Sequence, residues 1–134
     1  MRIDRDARRC ALQAMYQFDA GAADDHEIVR GSLEGSAAAA DSQEKGFALA
    51  TMAWEFREES DEMIQRFSPD WPIHRQPMVD RNLLRLACYE IRYGDTPAKA
   101  AINEAVELAK EFGGEKSPGF VNALLDRVMR EAAP

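Results

Sequence analysis

The feature that most narrows the fold is the spacing of apolar residues, which recur at three- and four-residue steps while Gly and Pro fall between the recurring segments. Ala7, Ala11, Ala14, Met15 and Phe18 form one stripe, and Leu49, Met52, Ala53, Phe56, Met63, Ile64 and Phe67 a second. Ile102, Ala105, Val106, Ala109 and Phe112 form a third, and Val121, Leu124, Leu125 and Val128 a fourth. A helix turns by about 100° per residue, so each set gathers on one side of a helix and defines a face for the core. Sustained alternation, the mark of a half-buried strand, is absent, and β-branched residues are few. The chain is predicted to be all-α.

Local signals bound the helices. The first spans about Asp4 to Asp19 and stops before Gly21, and a short one near Glu27 to Glu34 ends at Gly35. Asp41, with Glu44 three residues on, reads as the cap of a long amphipathic stretch reaching Phe67. Ser68-Pro69-Asp70-Trp71-Pro72 is the clearest break, since proline inside a helix removes a donor and clashes with the preceding turn. It divides the chain into an N-terminal half of about residues 1–68 and a C-terminal half of about 71–134. The helix from Pro77 to about Tyr93 is apolar around most of its circumference, leaving Arg81, Arg85 and Arg92 as a narrow polar strip, so it is expected to lie among other helices. Gly94 stops it, Thr96-Pro97 reads as a cap and first helical residue, and Gly113-Gly114 and Ser117-Pro118 separate the last two helices. No internal repeat is visible.

At 134 residues the chain suits one domain, or two tightly packed halves of one. A 46% hydrophobic content with eight Gly and six Pro excludes disordered and collagen-like classes. Neither a membrane span nor a secretory signal is recognisable, so the expected location is cytoplasmic. Cys10 and Cys88 lie in helical patterns without metal-ligand spacing and read as reduced thiols. The net charge of −7 argues against a nucleic-acid partner. That total is uneven, however. Acid concentrates at Asp24, Asp25 and Glu27 and between Glu55 and Glu62, whereas the first nine residues carry Arg2, Arg5, Arg8 and Arg9 against Asp4 and Asp6.

Catalytic constellations are missing. His26 and His74 have no Cys, Ser or second His at mechanistic spacing, and no phosphate-binding loop, zinc-protease or nucleophile-elbow motif occurs. No enzyme activity, cofactor or metal is expected. Glu55 to Glu62 reads as a solvated helix face. Glu90 is different, because it projects on the apolar side of its helix, where a carboxylate needs a partner, and an arginine of a neighbouring helix is expected to supply it, ahead of the alternative of a catalytic acid.

Two features point to binding. Arg5, Arg8, Arg9, Leu12 and Tyr16 cluster on the first helix about 130° from its core stripe. Asp4 and Asp6 project away from that cluster. The cluster fits either a solvated face or a surface taking phosphates at one end and a protein at the other. Phe120, in the first turn of the last helix near Lys116, fits either core packing or stacking on an unpaired base.

The segments VDRNLLRLACYE, TPAKAAINEAVELAKEFGGEKS and FVNALLD, in that order and spacing, together with the opening ARRCALQAMYQFD, resemble NusB proteins over nearly the whole chain apart from roughly residues 20 to 45. The resemblance implies an all-helical bundle of two packed helical subdomains that acts in transcription antitermination. It also implies partners: the ribosomal protein NusE, boxA-type single-stranded RNA in ribosomal RNA transcripts, and the RNA polymerase antitermination complex. By the same resemblance Arg5 and Arg8 match the RNA-contacting opening, with Arg9 additional and Asp4 and Asp6 standing where relatives often carry basic residues. Phe120 matches an RNA-facing aromatic, with Lys110 and Lys116 nearby, and Leu12, Tyr16 and Asp80 match the partner surface. The same fold serves as an accessory domain of ribosomal RNA cytosine methyltransferases, but no cofactor-binding domain is read here. The rival reading is a purely protein-binding helical module, for instance a homodimer that masks the arginine face.

Overall fold

The computed structural model describes residues 3–132, and the described residues form helices joined by short connections. Their order is α1 (Arg5–Gln17), a wide π turn (Phe18–Ala22), α2 (His26–Leu33), α3 (Ala40–Glu55) and α4 (Arg57–Phe67). After a 3-10 turn (Ile73–Arg75) come α5 (Met78–Tyr93), α6 (Ala98–Phe112) and α7 (Ser117–Ala132). The all-α expectation holds. Arg2 lies outside the described residues.

Asp4 caps α1 by accepting a hydrogen bond from the Ala7 N–H at 2.7 Å, and its carboxylate also accepts from the Ser42 hydroxyl at 3.1 Å. The cap bond holds the Asp4 carboxyl below its ordinary pKa. Regular α geometry ends at Gln17, and the widened turn is closed by Gly21 at φ +117°, a backbone state that side chains rarely adopt. α1 lies against α3, and their approach depends on Gly46: a Cβ there would stand 2.4 Å from the Ala7 carbonyl oxygen and 2.6 Å from the Cys10 Cβ.

α3 packs on α1 and α5, whereas α4 packs on α5 and α7. The expected single stretch from Asp41 to Phe67 is therefore two helices, turned at Phe56 (φ −92°, ψ 12°), the first meeting α1 and α5 and the second α5 and α7. Asp41 is not the cap of α3. It sits inside the first turn and pairs with Lys45 at 3.0 Å. α6 likewise starts one residue later than read, because Pro97 has ψ 140° and the Thr96 hydroxyl is taken up elsewhere.

One buried cluster joins both halves, from Cys10 through Phe18, Val29, Ile64, Leu84 and Leu108 to Val128. Each such side chain contributes roughly 1.5–3 kcal/mol by leaving water, which makes the apolar stripes the main source of stability. The stripe of α1 is buried throughout, as is that of α7. The stripe of α6 runs past the core, leaving Phe112 46% exposed. Cys10 and Cys88 are both buried and unbonded, and burial pushes the Cys88 thiol up to about 12. No helix among the described residues is long and apolar enough to cross a membrane.

Arg81 and Arg85 of the polar strip of α5 form an ion-pair layer inside the bundle, whereas Arg92 is exposed and pairs with Glu59 at 2.9 Å. Arg81 reaches Asp19 at 2.6 Å, and Arg85 forks onto Asp61 at 2.7 and 2.9 Å while also touching Asp19 at 3.2 Å. Asn82 donates to the same Asp19 oxygen at 2.9 Å. Burial alone would raise the Asp19 pKa, but these donors and the two guanidinium charges outweigh it and hold the carboxyl below its ordinary range.

Candidate functional site

α1 presents three arginines in two different settings. Arg8 is buried, 6% exposed at its side chain, and its guanidinium forks onto Glu90 of α5 at 3.0 and 2.7 Å. It also donates to the Ile3 carbonyl at 2.8 Å and to the Thr96 hydroxyl at 3.2 Å. Its donors are thus committed to the fold, and the placement of Arg8 on a free phosphate-binding face is corrected. The partner that Glu90 was expected to require is this same residue. A helical wheel gives direction and not depth: Glu90 and the α5–α6 connection close over Arg8.

Arg5 and Arg9 remain accessible, each resting on a carboxylate of α6. Arg5 forks onto Glu104 at 2.8 and 3.3 Å. Arg9 meets Glu111 at 3.0 and 3.1 Å, and also Asp6 at 2.6 Å, so Asp6 does not point away from the arginines as read. The pairing with Glu104 raises the Arg5 pKa, and the bond from Arg5 lowers that of Glu104. Lys110, exposed, pairs with Glu107 at 3.1 Å.

The pairing of Arg9 with Glu111 sets α1 beside the end of α6, whose following turn leads to Lys116 and Phe120. The turn is tight. The Ser117 hydroxyl accepts from the Gly114 N–H at 2.9 Å, and a Cβ at Gly113 would fall 2.6 Å from that of Ser117. Lys116 is exposed and makes no ion pair among the described residues. Phe120 is half-buried with its ring 4.7 Å from that of Trp71, centroid to centroid. In the sequence Trp71 stands as part of the chain break, and its place between two prolines is the only signal there that it does more.

Further along α1 an apolar groove of about 750 Å³ opens between Leu12, Tyr16, Val79 and Phe112. Tyr16 is exposed, as expected, whereas Leu12 is 5% exposed and forms the floor and not the rim. Asp80 departs further. It is buried on the inner side of α5, its Oδ1 has no hydrogen-bond partner among the described residues, and burial raises its pKa while the Ser117 side chain lowers it in part. A carboxylate placed there cannot serve as an exposed acid for a basic partner.

A family model described as the NusB family matches residues 5–130. The chain belongs to the NusB family. The transcription antitermination protein NusB of Trichlorobacter lovleyi is 39% identical over 135 residues, covering 100% of this chain and 94% of that protein. Among solved structures, T. maritima NusB matches with a TM-score of 0.83 at 32% identity, over 100% of this chain and 96% of its own. A crystal structure of antitermination factors NusB and NusE in complex with dsRNA contains a chain that matches with a TM-score of 0.81 at 26% identity, covering 95% of this chain and 96% of that one.

Proposed function

We propose that this NusB-family chain is a transcription antitermination factor, a non-enzymatic adaptor that binds boxA RNA jointly with NusE in the cytoplasm and acts within the RNA polymerase antitermination complex. The observation that carries this reading is the full-length likeness to NusB proteins, one of them solved with NusE and RNA. The chain's own geometry supports a division of labour. Arg5 and Lys116 offer exposed cations and Arg9 a partly exposed one to phosphates, with Lys110 at the margin, and Phe120 beside Trp71 offers an aromatic face to an unstacked base. Arg8 holds the cation-bearing helix in place. The groove floored by Leu12 and edged by Tyr16 and Phe112 suits an apolar anchor of NusE.

The test is a titration of boxA-like and unrelated RNA, each with and without NusE. Tighter binding to the boxA-like RNA, strengthened by NusE, is expected. Equal weak binding to both, unchanged by NusE, would favour a helical module or homodimer that binds only protein.

A further inference from the structure

Each exposed arginine of α1 faces a carboxylate of α6, and the spacings match. Arg5 and Arg9 are one turn apart, and Glu104, Glu107 and Glu111 follow at the steps that keep side chains on one helix face. Arg5 takes Glu104 through two hydrogen bonds, and Arg9 takes Glu111 through two more. We propose that Glu104 and Glu111 act as built-in competitors of RNA phosphate, occupying Arg5 and Arg9 so that the chain's affinity for any polyanion stays low until further contacts are made. This inference rests on the reading of α1 as an RNA face.

The physics is an exchange. A phosphate that takes Arg5 or Arg9 displaces a carboxylate already in place, and the freed carboxylate then gathers cations from solution. RNA sheds counterions on binding, but that uptake offsets part of the release, which lowers both the affinity and its dependence on salt. Exposed pairs of this kind are individually weak, so the barrier is low enough for a strong ligand to cross. Base stacking at Phe120 or a contact supplied by a partner would be sufficient. Weak non-specific contacts would not. The mask is also local: Lys116 is exposed and makes no ion pair among the described residues.

The experiment compares three double variants with the parent chain: Glu104→Gln with Glu111→Gln, Glu58→Gln with Glu62→Gln, and Arg5→Ala with Arg9→Ala. The second removes the same charge from exposed positions of α4 that pair with neither Arg5 nor Arg9. Affinity for a boxA-like RNA and for an unrelated RNA of equal length is measured at several salt concentrations, with circular dichroism confirming the fold. The α6 variant is expected to bind both RNAs about three- to tenfold more tightly, by the same factor for each, and to steepen the salt slope by about one unit. The α4 variant should change neither comparably. Unchanged or weaker binding by the α6 variant overturns the proposal, as does an equal gain in the α4 variant, which would mark a general effect of net charge. The arginine variant separates the two readings. If it binds less tightly while the α6 variant gains nothing, the mask is wrong and the RNA face stands; if it binds as well as the parent chain, both fall.

Discussion

Arg8 and its neighbours Arg5 and Arg9 share one helix and one residue type, yet they do opposite things. Arg8 is enclosed by Glu90, Thr96 and the Ile3 carbonyl, whereas Arg5 and Arg9 lie on the surface with their carboxylates half-open to water. A buried ion pair is costly to assemble but far costlier to break, because removing one partner strands the other charge away from water. An exposed pair is nearly neutral in stability and exchanges readily. The difference teaches that depth, and not charge or helical direction, separates an arginine that builds this fold from one whose ion pair stays open to water.

The largest expected effect breaks the buried side of that comparison. Glu90→Gln should destabilise the protein by about 3–5 kcal/mol, seen as a marked fall in melting temperature, by leaving the Arg8 guanidinium without its counter-charge. A melting temperature equal to that of the parent chain would show that the pair is dispensable. Close helix approach ranks next. Gly46→Ala should cost about 1–3 kcal/mol in denaturant unfolding, since the new methyl meets the Ala7 carbonyl and Cys10 where α1 and α3 touch.

The Asp19 cluster sharpens the comparison through pH. Its folded pKa is depressed below that of the unfolded chain, so its contribution to stability is complete above the unfolded value and is lost as pH falls through the folded one. Asp19→Asn should lower stability by about 2 kcal/mol at neutral pH and flatten the acid limb of a melting-temperature profile. Asp80 has the opposite sign: its raised pKa makes it favour the folded state more as pH falls, so Asp80→Asn should remove a penalty at neutral pH and not add one. Phe120→Ala should cost on the order of 1–3 kcal/mol of RNA affinity with little change in salt slope, because the substitution removes a stacking surface and no charge.

Much of the fold was legible because burial periodicity is local. The stripes on α1 and α7 and the breaks at Gly94 and Gly113 depend on neighbours within a few turns. What was not legible depends on distant elements. The turn at Phe56 has no Gly or Pro to announce it and follows from the need of α3 and α4 to reach different partners. Phe112 completes a stripe by spacing but lies beyond the end of the core. At the site, the exposure of Arg5 and Tyr16 and the partial exposure of Arg9 agree with the helical wheel of α1, while Arg8 and Leu12 sit deeper than a wheel can express and Asp80, matched to the partner surface by the resemblance alone, is buried. Glu90 was read as needing an arginine, but its identity came only with the packing of α5 on α1. The α6 carboxylates recur at steps of three and four residues beside the apolar stripe, but only the packed fold sets Glu104 and Glu111 against Arg5 and Arg9.

The central claim is that α1 divides its arginines, Arg8 for the fold and Arg5 and Arg9 for RNA. The most direct measurement makes the three single alanine variants and records thermal unfolding and the salt dependence of RNA affinity for each. Arg8→Ala should melt well below the parent chain and, measured at a temperature where it remains folded, keep the parent salt slope. Arg5→Ala and Arg9→Ala should melt like the parent and each flatten the slope, by less than the roughly one unit of an unmasked phosphate contact because the paired carboxylate offsets part of the release. An Arg8→Ala variant that melts normally and flattens the slope, beside Arg5 and Arg9 variants that leave RNA binding untouched, would contradict the account.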